Sequence, residues 1–194
     1  MLTKNASPEI GSIYSLADID WRVLAVENNR ALLISEEIIE MRPYNYQVEE
    51  TTWEQCTLRQ YLNSEFYNKL GDVKSAISET QNSNLNNQWF GTKGGKVTSD
   101  KIFLLSLDEV CRYFGDSSEY LKKGSTEDYY VISDSNDDDR IAKYNGKESW
   151  WWLQSPGYYR HHAARIYTDG NVDVHGDYIN SDVGGVRPAL WLNL

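Results

Sequence analysis

The stretch Ser149-Trp-Trp-Trp-Leu-Gln-Ser-Pro-Gly157 contains three adjacent tryptophans and is the most informative about the fold. Side chains alternate between the two faces of a β-strand, so Trp150 and Trp152 are expected on one face and Trp151 on the other. A strand with large apolar side chains on both faces has to be covered on both sides. The stretch therefore predicts a strand at the centre of the protein, ended by Pro156-Gly157.

The segment that follows, residues 163–175, alternates apolar and polar residues around Asp169-Gly170 and predicts a β-hairpin. A two-residue loop would place Arg165 on the face of the apolar side chains. A three-residue loop at 169–171, which pairs residue 166 with 174, keeps the apolar side chains together. We prefer this odd loop, with a bulge. The opposite face then carries these residues: Arg165, Tyr167, Asp173 and His175.

Two helix starts have the spacing of a capping box, in which the N-cap side chain and the third helical residue exchange hydrogen bonds. Thr57 is followed by Gln60 at this spacing, and Ser106 is followed by Glu109. Apolar residues recur at helical spacing after each pair. The sequence therefore predicts one helix from Thr57 and another from Ser106.

Strand-rich runs flank these helices at both ends of the chain. Residues 21–35 form two such runs around Asn28-Asn29, which predicts a hairpin. The run 184–194 contains Pro188, which cannot donate to a sheet ladder, so its strand is expected at an edge or after the proline. Arg187 lies among apolar residues, and a buried Arg187 would need a carboxylate or carbonyl partner.

The composition fits a single domain covering residues 1–194, with 40% hydrophobic residues and a net charge of −10. So acidic a chain is a poor partner for nucleic acid or for an anionic membrane. No apolar run approaches the roughly 18 residues that cross a bilayer.

No signal-peptide pattern precedes Ile10, which favours a cytoplasmic location, although a surface protein without its leader would read the same. Two cysteines do not make a disulfide scaffold.

Residues 115–148 are polar and acidic and predict a loop inserted into the domain. Their centre, residues 134–139, is similar to a calcium-binding loop. Asp139 stands where an EF-hand loop has glycine, and Asn145 stands where it has its glutamate. We interpret the segment as a solvated acidic loop, and weak calcium binding stays open.

Nine blocks of the sequence carry a family resemblance. Two C-terminal motifs are the most specific: Trp151-Trp152-Leu153-Gln154-Ser155-Pro156-Gly157 and Gly185-Val186-Arg187-Pro188-Ala189-Leu190-Trp191. The others are residues 20–24, 31–35, 42–45, 52–59, 66–67, 91–95 and 103–106. Together they resemble domain of unknown function family 6273, a bacterial family common in Firmicutes, from about Ile10 to Leu194. Gln154 departs from the family, which more often has Arg there.

The C-terminal organisation also resembles, more distantly, the C-type-lectin-like fold of formylglycine-generating-enzyme-like domains and of variable proteins of diversity-generating retroelements. This resemblance implies an α+β fold of twisted antiparallel strands and hairpins, with two to three packed helices. The formylglycine-generating relatives hold copper with a cysteine pair near the C-terminal strands. This chain has no cysteine after Cys111, so their oxidase chemistry is not carried over.

The residues do not predict an enzyme. His161 and His162 are adjacent and point to opposite faces of a strand, so they cannot readily bind one metal ion. The third histidine, His175, could approach His162 across the hairpin, but no cysteine lies nearby and the carboxylates are scattered. No GxSxG motif is present. We therefore predict no catalytic residues, no metal site and no cofactor.

We predict instead a non-catalytic binding module for a protein or glycan ligand. Tyrosine supplies rigid amphipathic contact area, and Arg, His and Asp supply hydrogen bonds. The alternatives are a structural or accessory module of a larger bacterial protein and an enzyme of unassigned chemistry. Segment 158–183 could also be a diversified surface, because its residue types arise from Asn codons by changes at adenine. The candidate ligand-binding residues are Tyr158, Tyr159, Arg160, His162, Arg165, Tyr167, Asp173, His175, Asp177 and Tyr178.

Overall fold

The computed structural model describes residues 8–124 and 130–194, and its fold is α+β. The strands, in chain order, are β1 (Ile13–Leu16), β2 (Ile19–Glu27), β3 (Arg30–Ser35), β4 (Glu40–Met41), β5 (Ile77–Ser78), β6 (Thr80–Asn82), β7 (Thr98–Asp100), β8 (Val131–Ile132), β9 (Ala142–Tyr144), β10 (Lys147–Ser149), β11 (Trp151–Pro156), β12 (His162–Ile166), β13 (Val172–Tyr178), β14 (Gly185–Val186) and β15 (Ala189–Asn193). The α-helices are α1 (Thr57–Tyr61), α2 (Tyr67–Lys69), α3 (Leu107–Tyr113), α4 (Ser118–Lys123) and α5 (Asp137–Arg140).

Two larger sheets carry the core. One has the antiparallel order β1-β2-β3-β15-β5, and the other has the order β4-β14-β11-β12-β13-β8. The pair β11–β14 is parallel, unlike its neighbours. A π-helical turn (Leu62–Phe66) joins α1 to α2, and a 3-10 helix (Gly71–Ala76) follows. Within residues 8–124 and 130–194, no helix has the length and apolar character needed to cross a bilayer.

The tryptophan stretch forms the strand that its alternation predicts. The rings of Trp150 and Trp152 pack edge to face with centroids 4.7 Å apart, so these two side chains share a face. Trp151 is fully buried and donates from Nε1 to the carbonyl oxygen of Arg140 at 3.0 Å. Because every residue of β11 is buried, the strand is covered on both faces as predicted.

The C-terminal strand confirms the reading of Pro188. Strand β15 starts after the proline and lies inside its sheet, between β3 and β5. Arg187 is buried, and its guanidinium donates to the carbonyl oxygens of Ser35 at 2.8 Å and Glu36 at 3.0 Å. The same guanidinium stacks 5.1 Å from the ring of Trp151. Arg187 therefore ties the last strand to the end of β3 through carbonyl partners.

One of the two predicted capping boxes is wrong. Ser106 accepts from the amide of Glu109, and the Glu109 carboxylate accepts from the amide of Ser106 at 2.8 Å, so the box at α3 is confirmed. At α1 the N-cap is Cys56, whose Sγ accepts from the amide of Arg59 at 3.4 Å. Thr57 is already helical, because Cys56 is the last residue with extended backbone angles.

The register of the β12–β13 hairpin differs from the predicted one near its loop. Ile166 pairs with Val172 rather than with residue 174, so the connection comprises residues 167–171. The loop still has an odd number of residues, as predicted. Ile166 pairs with Val172 on the apolar face, and Arg165 pairs with Asp173 on the other face. Farther from the loop, a bulge lies between Ala163 and Arg165 and changes the register, so that Ala163 pairs with Asp177 while Arg165 pairs with Asp173. The bulge changes which side chains share a surface, as described below.

The acidic segment 115–148 is more ordered than the loop that its composition predicts. Its described part contains α4, β8, α5, β9 and β10. Residues 125–129 of this prediction lie outside the described residues. The described residues thus contain five short α-helices where two to three were expected, because α4 and α5 are too short and too polar to show helical periodicity.

Candidate ligand-binding site

The ten candidate residues fall into two groups in the structure. In the first group, aromatic and histidine rings contact one another, and Arg160 lies beside them. In the second group, a guanidinium is enclosed by carboxylates and rings. The first group is Tyr158, Tyr159, Arg160, His162, His175 and Tyr178, and the second group is Arg165, Tyr167, Asp173 and Asp177.

The rings of the first group form an aromatic cluster around Tyr158. Its centroid lies 4.7 Å from that of Phe90, 4.5 Å from that of Tyr159 and 5.3 Å from that of His175. The Tyr158 and His175 rings are nearly parallel, at 15°. We call the following eight residues the aromatic cluster: Phe90, Tyr130, Tyr158, Tyr159, His161, His162, His175 and Tyr178.

The cluster is packed inside and open outside. His162 is 5% exposed, whereas Tyr158, Tyr159 and Tyr178 are 42%, 48% and 53% exposed. Each exposed tyrosine also contacts at least one other ring of the cluster. A tyrosine that is already held in place loses little side-chain entropy when a ligand binds. The outer side of the cluster therefore combines exposed rings with fixed positions.

Backbone hydrogen bonds fix the turn between β11 and β12 that carries the tyrosines. The amide of Tyr158 donates to the carbonyl of His175 at 2.8 Å, and the amide of His162 donates to that of Tyr159 at 3.0 Å. Gly157 is required at the start of the turn, because a Cβ there would overlap the His175 carbonyl oxygen. The two exposed tyrosines are thus presented by a closed, hydrogen-bonded turn.

Asn87 positions the loop that supplies Phe90. Its buried side-chain amide donates to the carbonyl oxygens of Pro156 at 2.8 Å and Val174 at 2.9 Å. Its Oδ1 accepts from the amides of Trp89 at 3.0 Å and Phe90 at 3.3 Å. The two bonds that the amide donates tie the loop to strands β11 and β13, and the two that Oδ1 accepts fix the local turn. Asn87 therefore fixes where Phe90 meets Tyr158.

A groove runs along the open side of the cluster. One part is a cleft of about 400 Å³ whose walls include Phe90, Tyr158 and Tyr159. The adjoining part is a cleft of about 350 Å³ with polar walls, Thr51, Thr52 and Gln55. Glu50, Lys93 and Arg160 line both clefts, so we treat the two as one feature, the aromatic groove.

The family model for Domain of unknown function (DUF6273) matches residues 28–194. This range is most of the chain and includes the whole aromatic groove. The chain belongs to the DUF6273 family. No curated protein and no solved structure matches it.

In this DUF6273 member, the side chains of the second group contact one another around Arg165. The Arg165 guanidinium lies between two rings, 4.8 Å from Trp150 and 4.7 Å from Tyr167. Its Nε donates to Asp173 at 2.9 Å, and a second ion pair joins it to Asp177. The expected face of Arg165, Tyr167, Asp173 and His175 is therefore corrected: the bulge in the hairpin turns His175 into the aromatic cluster.

His162 is the buried centre of the cluster. Among residues 8–124 and 130–194, no group lies in hydrogen-bonding geometry with either of its ring nitrogens. Its ring centroid lies 4.5 Å from Tyr178, 5.0 Å from His161 and 5.3 Å from His175. Burial lowers the pKa of His162, and the nearby His175 and His161 lower it further, while the His175 backbone and Asp177 offset this in part. His162 is therefore neutral in the folded protein at neutral pH.

We expect acidification to weaken the fold through His162. Because its folded pKa lies below the ordinary value near 6.5, the unfolded chain takes up this proton first as the pH falls. The contribution of neutral His162 to the free energy of unfolding is complete above about pH 6.5 and is lost as the pH falls through the pKa of His162 in the folded protein. Urea unfolding at about pH 7.5 and pH 5.5 measures the loss in the wild type and in His162→Phe. The wild type should lose more stability, and equal losses in the two proteins would refute this role.

The acidic residues at 134–139 bind an arginine of the chain. Arg140 is fully buried, and its guanidinium donates to Asp134 at 3.0 Å and to Asp137. Its Nε donates to the carbonyl oxygen of Gly170 at 2.8 Å. Among residues 8–124 and 130–194, no three His, Cys, Asp or Glu side chains are grouped as a metal site requires. Asp134 and Asp137 thus have a partner other than calcium.

The part of the groove that comes from segments distant in sequence could not be predicted from the sequence. Glu50, Phe90 and Lys93 precede the tyrosines by more than sixty residues. Tyr130, the residue before β8, stacks on His175 with ring centroids 5.3 Å apart. The Gly-rich stretch at 91–95 was a signal of a tight loop, but it does not indicate what the loop contacts. The polar run around Asn87 carried no signal of its four hydrogen bonds.

Proposed function

We propose that this chain is a non-catalytic binding module that holds a glycan in the aromatic groove. The main support is the exposure of Tyr158 and Tyr159 on the wall of a groove. Both side chains are nearly half exposed, and both rings are held by contacts with other rings. A large exposed aromatic patch on a rigid support is typical of an interaction site.

A glycan fits the two halves of the groove better than an apolar ligand does. The C–H groups of a sugar ring carry partial positive charge and pack on the negative face of an aromatic ring, as Tyr158 and Tyr159 offer. Sugar hydroxyl groups need donors and acceptors, which the side chains of Thr51, Thr52 and Gln55 supply next to the rings. A folded protein ligand would need a larger surface, about 800 Å² on each partner.

The hydrogen bonding of the histidines supports a non-catalytic role. In an acid–base site, a histidine is oriented by a hydrogen bond to a nucleophile or a carboxylate. Among the described residues, one side-chain hydrogen bond is made by a histidine of the aromatic cluster. It joins Nδ1 of His175 to the carbonyl oxygen of Gly176 at 3.2 Å. The imidazoles therefore serve as stacking partners for the tyrosines.

The proposal extends to a C-type-lectin-like fold and a bacterial source. The support for the fold is that the tryptophan strand β11 lies beside the hairpin strand β12 and beside β14, which directly precedes Arg187. A structural or accessory module would not need exposed rings beside a groove, and no feature of the described residues favours that alternative.

A glycan array followed by calorimetric titration of the best ligand tests the proposal. We expect Tyr158→Ala and Tyr159→Ala each to weaken binding about thirtyfold or more, because truncated aromatic anchors cost about 2 kcal/mol or more. Tyr120→Ala is the matched control, since Tyr120 is 42% exposed on α4 and outside the groove. An array that stays blank, or binding that all three variants retain, would overturn the proposal.

A further inference from the structure

The charges at the groove differ in sign from those of the rest of the chain. The chain carries a net charge of −10, yet two basic residues, Lys93 and Arg160, and one acidic residue, Glu50, line both clefts. The aromatic groove is therefore a locally positive site on an acidic protein. Local charge of this kind selects the charge of the ligand that binds there.

Arg160 is held by its backbone and weakly engaged by its side chain. Its carbonyl oxygen accepts from the amide of Thr51 at 3.1 Å, which fixes the residue between the two clefts. Its Nη1 donates to Glu50 at 2.6 Å, but both side chains are more than 60% exposed. An exposed ion pair contributes about 0–1 kcal/mol, and a guanidinium has five N–H donors. A ligand anion can therefore bind Arg160 beside Glu50 or in its place.

Lys93 lines the same two clefts, on a loop whose backbone is fixed. The amide of Asn87 donates to the carbonyl of Thr92 at 2.9 Å, and the Thr92 hydroxyl donates to the carbonyl of Tyr158 at 2.7 Å. Within residues 8–124 and 130–194, no carboxylate oxygen lies within 4 Å of the Lys93 ammonium. Its charge is exposed at the groove and is not neutralised by a neighbour.

We infer that the aromatic groove selects an anionic saccharide, whose acidic group binds Lys93 and Arg160 while its sugar ring packs on the tyrosines. This inference rests on the proposed function. Aromatic faces and cations lie together on the walls of one cleft, so a single sugar residue with an acidic substituent can reach both. Carboxylates and sulfates share the required chemistry, because each offers several oxygens to a guanidinium.

The test uses saccharide pairs that differ in charge alone. Each uronic-acid or sialic-acid oligosaccharide on an array is compared with its methyl ester, and each sulfated oligosaccharide with its desulfated form. We expect at least one acid to bind about tenfold more tightly than its uncharged form, with the difference shrinking at high salt. The carboxylate and sulfate pairs identify the source of the negative charge.

The variant Lys93→Gln assigns the preference to the groove. It should remove most of the difference between the acid and its uncharged form, while Lys147→Gln, on the exposed β9–β10 hairpin, should leave it unchanged. Tyrosine-dependent binding of neutral saccharides without any effect of Lys93→Gln would overturn this inference and leave the proposed function standing. If the array shows no saccharide binding, both fail.

Discussion

Replacing Asp100 by alanine is expected to destabilise the protein by about 3–5 kcal/mol, the range for removing one partner of a buried ion pair. The Asp100 side chain is fully buried. Its oxygens accept from Arg59 Nε at 2.6 Å, Asn82 Nδ2 at 2.7 Å, Thr98 Oγ1 at 2.7 Å and Trp53 Nε1 at 3.1 Å. Loss of the carboxylate leaves four donors without their acceptor, including one charged group.

The same network positions one wall of the aromatic groove. Trp53 lies between Thr52 and Gln55, and Arg59 also donates to the carbonyl oxygen of Glu54 at 3.1 Å. Urea unfolding followed by tryptophan fluorescence measures the change, with Asp182→Ala as control because Asp182 is exposed. The control should change stability by less than about 0.5 kcal/mol. A loss below about 1 kcal/mol in Asp100→Ala would show that the network is not what holds this wall.

The second large effect is expected from Gly170→Ala, at about 2–5 kcal/mol. Gly170 has a φ of +82°, and a Cβ there would overlap the carbonyl oxygen of Asp137. The carbonyl of Gly170 also accepts from buried Arg140 at 2.8 Å. A side chain at this position would push α5 away from the hairpin and leave the Arg140 guanidinium without one of its acceptors.

Gly146→Ala separates backbone strain from overlap. Gly146 has a similar φ of +75°, but no atom lies within 4 Å of the position that its Cβ would take. This variant should lose about 1 kcal/mol, the cost of the left-handed conformation alone. Thermal or urea unfolding of both variants gives the comparison, and similar losses in the two would mean that contact with Asp137 contributes nothing.

Elements with a local chemical cause could be predicted from the sequence. The alternation of Trp150, Trp151 and Trp152 depends on strand geometry alone, and the Ser106 box depends on two residues three positions apart. The β2–β3 turn is of the same kind, because Asn28 and Asn29 both adopt positive φ, at 49° and 61°.

Features that depend on tertiary packing could not be predicted. Cys56 caps α1 although cysteine is no usual cap, because its own backbone is extended after the turn at 53–55 and its Sγ meets the Arg59 amide. Strand pairing can be predicted within one register, but the bulge near Ala163 changes the partners and moves His175 to the other surface. Acidic composition at 134–139 suggested solvation, whereas buried Arg140 neutralises two of those carboxylates.

The candidate site shows the same division. The tyrosines at 158 and 159 could be found because aromatic residues beside a predicted turn have few core positions available. Their partners Phe90 and Lys93 could not be found, because Asn87 brings that loop to the turn through hydrogen bonds across more than sixty residues of chain. Arg165 looked like a recognition residue because sequence does not reveal that Trp150 and Asp173 enclose it.

Ligands are expected to contact the tyrosines of the aromatic groove. Nuclear magnetic resonance of the protein with ¹³C-labelled tyrosine rings detects this contact, since each of the 14 tyrosines reports separately. During titration with the saccharide selected on the array, we expect the ring signals of Tyr158 and Tyr159 to shift most, while Tyr120 stays constant. Shifts confined to tyrosines outside the groove, or no shifts at a saturating concentration, would show that the groove is not the binding site.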